Sequence, residues 1–306
     1  MRTDLQYTCG SLLGLAVGDS LGMPCEGLPR GSFPKTTGLA NGGPHQARIG
    51  EWTDDTSLAC CLAESLVRHG GWNPHDAADR FRQWLSAGYW SSRERAFGIG
   101  RTTERAIERF CQTGDPYAGI EDPNTSGNGS LMRLAPVPLF LYRDPRVLDR
   151  AEDSSRLTHG SLICRHACRL MAAILVDLIK GLEKATILHP DNLMIAAPRD
   201  GFCPEIAAIA AGSFLDKGID EIETTGYVVH TLEATLWCWY RCPDYRKAVC
   251  LAVDLGGDTD TTAAVVGQIA GLEQGIDAIP RAWQEALVYR QAITRLSEQL
   301  WEARPG

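Results

Sequence analysis

The sequence predicts an all-α protein, built as one compact helical domain over residues 1–306 with a cleft shared by loops and helix N-termini. Apolar residues recur at helical spacing along most of the chain, and few stretches show the strict alternation of strands. The 306 residues are 44% hydrophobic and 22% charged, which is ordinary for a globular protein with a large core. The sequence contains no internal repeat.

The predicted helices follow in chain order. The first contains glycine at every fourth position, Gly10, Gly14 and Gly18. Because glycine lowers helix propensity, this spacing predicts close packing against another helix. A second helix is predicted at 56–69, ending at Gly70-Gly71. Further helices are predicted at about 75–87, 101–113, 145–157, 160–181, 204–215, 226–241, 244–254, 261–274 and 280–302.

Three segments lack helical periodicity and are predicted to be long loops: 22–51, 114–129 and 186–203. Each contains glycine, proline and short polar residues. Loops of this length within a compact domain are usually functional or disordered.

Charge and cysteine content limit the classes of partner and location. The net charge of −8 argues against direct nucleic-acid binding. No run of eighteen apolar residues predicts a membrane span, and Met1-Arg2-Thr3-Asp4 lacks the charge pattern of a signal peptide. Eleven cysteines without a Cys-x-x-Cys pair favour a reduced, cytoplasmic location. The oligomeric state is not indicated.

Two short acidic segments lie about two hundred residues apart, Thr53-Asp54-Asp55 and Gly256–Thr262. Each runs into an apolar helical stretch, so each is also explained as a helix N-cap. Their donors are all oxygen atoms, with no His or Cys beside them, and this is the donor set of Mg²⁺ or Mn²⁺. If the fold brings the segments together, their carboxylates repel unless cations neutralise them. We therefore expect a two-metal hydrolase site split across the chain.

These segments and three further motifs resemble, in the same order, those of the ADP-ribosylglycohydrolases. The first of these motifs is Gly14–Gly22 together with Glu26. The other two are Ser126–Arg133 and Leu157–His159. The resemblance covers nearly the whole chain. It implies a hydrolase that uses two Mg²⁺ or Mn²⁺ ions to cleave the glycosidic bond between ADP-ribose and a modified protein side chain or a small conjugate. The implied metal ligands are Thr53, Asp54, Asp55, Asp258, Asp260 and Thr261.

The resemblance also implies roles beyond the metal ligands. Glu26 corresponds to the family's loop carboxylate, which makes it a candidate general acid/base. The alternative interpretation is an ordinary solvated glutamate in a loop. Asp19 either supports a ligand or caps a helix. The loop Thr125-Ser126-Gly127-Asn128-Gly129 would hold the diphosphate and proximal ribose, although Asn-Gly is also a common turn.

Two ring side chains complete the predicted substrate site. His159 would donate a hydrogen bond in the same pocket, and Tyr227 would lie near the adenine. Ordinary capping or helix packing explains each equally simply.

One position departs from the family pattern. Some arginine-specific relatives carry an Asp where this chain has Gly98. The missing carboxylate puts an arginine leaving group in doubt and leaves Glu26 as the main candidate for the catalytic carboxylate.

Other classes fit less well. Asp258–Thr262 also matches the Asp-x-Asp-x-Thr motif of haloacid-dehalogenase-type phosphatases, but too little chain follows for their α/β domain. No Glu stands at the far end of an EF-hand loop. The remaining alternative is a non-catalytic ADP-ribose-binding or crystallin-like relative, which loss of a ligand residue would indicate. All six ligand-type residues and Glu26 are present.

Overall fold

The computed structural model describes Arg2 and residues 4–305, and the predicted all-α fold is confirmed. Met1, Thr3 and Gly306, which belong to the predicted domain and N-terminal pattern, lie outside the described residues. In chain order, the helices are α1 (Leu5–Gly22), α2 (Asp54–His69), α3 (Pro74–Ala87), α4 (Arg101–Thr113), α5 (Pro136–Leu141), α6 (Val147–Arg156), α7 (Leu162–Lys180), α8 (Lys184–Ile187), α9 (Pro190–Ile195), α10 (Pro204–Ala210), α11 (Val228–Arg241), α12 (Tyr245–Asp254), α13 (Thr259–Gln274), α14 (Arg281–Ala286) and α15 (Arg290–Glu302).

Other regular structure is sparse. Short 3₁₀ turns cover Met23–Cys25, Pro123–Thr125, Ile219–Glu221 and Ile276–Ala278. Within the described part of the chain, β pairing is limited to isolated bridges, such as the antiparallel one between Gly127 and Tyr227. None of the described helices combines the length and apolarity needed to span a bilayer.

Helices α1 and α13 form the centre of the fold and run antiparallel with their backbones in contact. A Cβ atom added at Gly10 would lie 2.3 Å from the carbonyl oxygen of Gly271, and one at Gly14 would lie 2.4 Å from that of Gly267. The contact continues to the C-terminal end of α1, where a Cβ added at Gly22 would lie 2.3 Å from the carbonyl oxygen of Thr259. No side chain fits at these positions, so the predicted close packing of the glycine-bearing helix is confirmed.

The antiparallel pairing determines where the two acidic segments lie. It brings the C-terminal end of α1 beside the N-terminus of α13, which begins directly after Asp258. Helix α2 begins beside the same end of α1, because Asp19 of α1 bonds the backbone of Thr53 and Thr56. Segments distant in sequence thus meet around the last turn of α1.

Four details differ from the sequence-based expectations. The helix predicted at 280–302 is two helices, separated where Tyr289 adopts φ +53°. The loop predicted at 186–203 contains α9, since Pro190 occupies a first helical turn, where its missing N–H costs nothing. Helix α5, which begins at Pro136, was not predicted. The helix predicted at 204–215 ends at Ala210, and turns follow it.

We expect Gly14→Ala to destabilise the protein by about 1–3 kcal/mol, because its methyl group would force α1 away from Gly267. Helix propensity alone acts in the opposite direction, since Ala is favoured over Gly within a helix. Gly71→Ala is the matched control, because a Cβ there meets no atom within 4 Å. The free energy of unfolding in denaturant measures both variants. Equal stability of Gly14→Ala and the wild type would contradict the backbone contact.

Candidate metal centre

The first turn of α2 is capped by a residue of another helix. Asp19 of α1 is fully buried, and its Oδ1 accepts from the Thr53 N–H at 2.9 Å and the Thr53 hydroxyl at 2.9 Å. Its Oδ2 accepts from the Thr56 N–H at 3.1 Å and the Thr56 hydroxyl at 2.6 Å. These bonds satisfy N–H groups at the helix start and fix the segment that carries Asp54 and Asp55.

A glycine turn orients the second acidic segment. Gly256 and Gly257 have φ of +76° and +69°, and a Cβ on Gly257 would lie 2.1 Å from the carbonyl oxygen of Thr224. The following Asp258 N–H donates to that same carbonyl at 2.7 Å. Only glycine permits the backbone to lie this close to Thr224. The resulting turn directs the Asp258 carboxylate into the cleft.

The two acidic segments converge on one cleft of about 470 Å³. One oxygen from each of Asp19, Asp55 and Asp260 lies within 4.8 Å of the other two. Five of the six predicted ligands line the cleft, namely Asp54, Asp55, Asp258, Asp260 and Thr261. The sixth, Thr53, lies behind Asp55, with its hydroxyl 3.0 Å from Asp55 Oδ2. Both Asp19 oxygens accept hydrogen bonds that orient α2, and Asp19 also lies close enough to Asp55 and Asp260 to share a cation with them.

Burial strongly disfavours ionisation of these carboxylates. It raises the pKa of Asp19 to about 6. The pKa values of Asp54 and Asp55 rise well above their ordinary value, first by burial and then by the charge of Asp19. The pKa of Asp260 also rises well above its ordinary value through burial and the neighbouring Asp258. The cluster therefore gains from any cation that replaces protons.

One carboxylate oxygen has no partner within the protein. Asp55 Oδ1 is buried and makes no hydrogen bond to any described residue. A buried acceptor without a donor is costly, and such an atom usually has an ion or water as its partner. Carboxylate and hydroxyl oxygens are the donors that hard divalent cations prefer. The residues of the cleft therefore fit a divalent metal.

Glu26 lies at one side of the cleft and is held by a residue that sequence reasoning missed. Its Oε2 is 2.8 Å from His45 Nε2, and this hydrogen bond raises the pKa of His45. The backbone beside Glu26 is fixed by Gly27 N–H donating to the Gly257 carbonyl at 2.8 Å. His45 lies in the long loop 22–51 without a recognisable motif, so only the folded loop reveals the pair.

The predicted phosphate loop divides between two cavities. Gly127, Asn128 and Gly129 line the cleft that holds the acidic cluster, which we call the metal cleft, whereas Thr125 and Ser126 line an adjoining cavity of about 590 Å³. The Asn128 amide donates to Asp258 Oδ2 at 2.7 Å and to the Thr231 hydroxyl at 2.9 Å. Asn128 therefore connects the loop to the acidic cluster.

The two predicted ring side chains lie on different sides of this loop. His159 lines the metal cleft, and burial together with the charge of Arg133 lowers its pKa to about 3. It is therefore neutral, with Nδ1 2.8 Å from the Thr158 hydroxyl. Tyr227 lines the adjoining cavity and contacts His230 edge-on.

Arg133 is a second residue whose role the sequence did not reveal. Its side chain is buried, and it donates to the Gly129 carbonyl, to the Thr158 hydroxyl at 2.8 Å and to the Ser154 carbonyl at 3.2 Å. It thereby joins the glycine loop to the segment that carries His159. Its place at the end of the motif Ser126–Arg133 was the available signal.

Gly98 leaves no room for a side chain. It has φ +81°, and an added Cβ would lie 2.8 Å from Asp54 Oδ1 and 3.0 Å from Thr53 Cβ. An Asp here would be strained and would add charge to the cluster. Among the described residues that line the cleft, Glu26 is consequently the one carboxylate outside the predicted ligand set.

The chain is similar to one protein family along nearly its whole length. The ADP-ribosylglycohydrolase family model matches residues 2–306. The chain is 35% identical to the ADP-ribosylarginine hydrolase Tri1 of Serratia proteamaculans over 97% of this chain and 79% of that protein. It is 28% identical to the ADP-ribosyl-[dinitrogen reductase] glycohydrolase of Rhodospirillum rubrum over 91% and 89%. A solved ADP-ribosylglycohydrolase-related protein complex contains a chain that superposes with a TM-score of 0.88, at 38% identity and with full coverage of both chains.

We expect stabilisation by Mn²⁺ to grow as pH rises from about 5 to 8. The carboxyl pKa values of Asp19, Asp54, Asp55 and Asp260 are raised in the fold. The metal-free fold is therefore most stable, relative to the unfolded chain, at pH values below the ordinary carboxyl pKa of 3.8. That stability is lost as pH rises through the raised values, and a cation then restores it. At about 100 times its Kd, a bound ion contributes about 2.7 kcal/mol.

The melting temperature with Mn²⁺ and with EDTA, measured across this range, checks the expectation. Asp55→Asn serves as the comparison, because it keeps the shape of the side chain while removing a predicted ligand charge. A rise in melting temperature on adding Mn²⁺ that is equal at all pH values would contradict the replacement of protons by the metal ion.

Proposed function

The chain belongs to the ADP-ribosylglycohydrolase family and is an ADP-ribosyl hydrolase, and from this premise we propose that it removes ADP-ribose from arginine side chains of proteins. We propose a single catalytic domain over residues 1–306 with a binuclear Mg²⁺ or Mn²⁺ site. The relatives named ADP-ribosylarginine hydrolase, at 35% and 36% identity, favour arginine as the acceptor despite Gly98. The eleven unpaired cysteines support a cytoplasmic location.

The observation that carries the proposal is the unpartnered Asp55 Oδ1 within a buried carboxylate cluster. The proposed ligands are the six predicted residues, with Thr53, Asp54 and Asp55 on one side and Asp258, Asp260 and Thr261 on the other. When bound, divalent cations would polarise ribose hydroxyls and orient the attacking water. A non-catalytic relative would have no need to maintain so costly a cluster.

Glu26 is our candidate general acid/base. It lines the same cleft as the ligands, and its hydrogen bond to His45 fixes its orientation. In the proposed reaction, the bond between the anomeric carbon and the guanidinium nitrogen breaks as water oxygen bonds that carbon. Glu26 accepts a proton from the water and returns one to the departing nitrogen. Nearby carboxylates stabilise positive charge on the ribose in the transition state.

The remaining predicted residues would hold the nucleotide. Backbone N–H groups of the loop Thr125–Gly129 are suited to the diphosphate because its glycines allow close approach. Neutral His159 lies within the cleft beside this loop. The adjoining cavity with Tyr227 offers an apolar ring for the adenine. This division assigns the nucleotide and the distal ribose to neighbouring cavities.

We expect the purified protein to release ADP-ribose from an arginine-linked peptide in the presence of Mg²⁺ or Mn²⁺, and much more slowly from a serine-linked one. Release is measured by chromatography of free ADP-ribose, with EDTA as the control. Turnover that persists in EDTA would contradict the metal requirement. A preference for the serine-linked peptide would refute the arginine linkage while leaving the hydrolase activity intact.

We expect Glu26→Gln to lower kcat by about 10²–10⁴-fold, since general acid/base catalysis contributes about that factor. Metal affinity, measured by calorimetric titration with Mn²⁺, should stay near that of the wild type. Asp258→Asn is the contrasting variant, because it should lose metal and activity together. Collapse of metal affinity in Glu26→Gln would instead make Glu26 a ligand.

A further inference from the structure

A groove of about 680 Å³ lies beside the metal cleft, between loop 44–51 and loop 92–97. Its lining includes Arg48, Arg93, Arg95, His45 and Phe97, and we call it the arginine groove. None of the predicted site residues lines it. The groove is larger than the metal cleft and falls within the range of roughly 300–1,000 Å³ that is typical of ligand sites.

The arginine groove meets the metal cleft at two points. His45 lines the groove and bonds Glu26, which lines the cleft, at 2.8 Å. Phe97 lines the groove, and the next residue, Gly98, lines the cleft. A molecule in the groove therefore lies directly beyond the candidate acid/base.

The Tyr227 cavity lies against a different wall of the cleft. Thr102, Gly127 and Gly226 line both the cleft and that cavity, and none of these residues borders the groove. If the nucleotide occupies the Tyr227 cavity and the distal ribose the cleft, the acceptor extends past Glu26. The acceptor side of the substrate then enters the arginine groove.

The floor of the groove is held rigidly. The Arg93 guanidinium donates to Glu51 Oε2 at 2.7 Å and to the His45 carbonyl at 2.9 Å, and it stacks on the Phe97 ring at 4.1 Å. Glu51 Oε2 also accepts from the Arg48 N–H at 2.9 Å. Because these bonds are made within the protein itself, little ordering cost remains for binding.

Two cations of the groove remain available to a ligand. The Arg48 and Arg95 side chains are exposed, and neither forms an ion pair with a described residue. Against the effect of burial, the pKa of Glu51 is lowered by its hydrogen bond from Arg93 and in part by the charge of Arg48. Glu51 is paired with Arg93, so Glu94 is the one remaining carboxylate of the lining. The lining thus carries three arginines against two glutamates, a small positive excess on a protein of net charge −8. Such a surface suits an anionic partner.

We propose that the arginine groove binds an acidic peptide segment that flanks the modified arginine of the target protein, with Arg48 and Arg95 as specificity-determining residues. This inference rests on the proposed function. The groove repels the guanidinium itself, which would remain beside Glu26 and the carboxylates of the cleft. Carboxylates on neighbouring residues of the target pair with the two exposed arginines.

The test compares peptides that carry one ADP-ribosylated arginine with Glu or with Gln at the flanking positions. We expect kcat/KM to be about fivefold higher for the acidic peptide, because two exposed ion pairs each contribute modestly. The difference should lie mainly in KM and shrink with added salt. The double variant Arg48→Gln/Arg95→Gln should lose the preference and retain wild-type activity on free ADP-ribosylarginine, which has no flanks.

The control variant is Arg109→Gln/Arg199→Gln, which removes two exposed positive charges that do not line the groove. It should keep the preference for the acidic peptide. Equal kcat/KM for both peptides in the wild type, or an unchanged preference in the groove variant, would overturn the inference. Fluorescence anisotropy of a labelled, unmodified Glu-flanked peptide tests the groove without turnover. Failure to cleave free ADP-ribosylarginine contradicts the proposed linkage, whereas equal binding of Glu- and Gln-flanked peptides contradicts the groove.

Discussion

The antiparallel contact between α1 and α13 is the constraint on which the site depends. Glycine at every fourth position of α1 lets the two backbones touch from Gly10 to Gly22. The separation of the helices is therefore determined by main-chain atoms, which cannot adjust as side chains do. At the end of this contact, Asp19 and Asp260 become neighbours, although the chain between them forms most of the protein. A shift of either helix would separate the carboxylates that the cleft brings together.

This arrangement places several carboxylates in a buried cluster, where their negative charges repel unless protons or cations compensate them. Burial raises the pKa of Asp55, the charges of Asp19, Asp54 and Asp258 raise it further, and Asp55 Oδ1 has no donor among the described residues. The surrounding structure resists expansion, because Asp19 is held by both Thr53 and Thr56 and Asp258 is held by Asn128. Protons or cations must then supply the missing charge. The same rigidity that makes the metal-free cleft costly prepares it for binding, since the ligands are already oriented.

Sequence patterns predicted the parts of this structure that are governed by local rules. Apolar periodicity predicted most of the long helices, and the acidic segments predicted the cluster. The partner of α1 was also within reach, because Ala263, Gly267 and Gly271 repeat the same four-residue spacing in α13. The break at Tyr289 could not be predicted, since a left-handed tyrosine has no local sequence signal. The position of His45 also depends on long-range contacts, above all the hydrogen bonds of Arg93 to its loop.

One turn links the acidic cluster to the candidate acid/base. Gly257 donates to the Leu28 carbonyl at 2.8 Å and accepts from the Gly27 N–H at 2.8 Å, so the residues after Glu26 are bonded to the turn that orients Asp258. Gly257 also packs against Thr224 without room for a Cβ. Displacement of this turn would therefore move a predicted ligand and Glu26 together. On its other side, Glu26 is bonded to His45 of the arginine groove. Through its bond to His45, Glu26 is thus one of the two places where the metal cleft and the groove meet, and Phe97-Gly98 is the other.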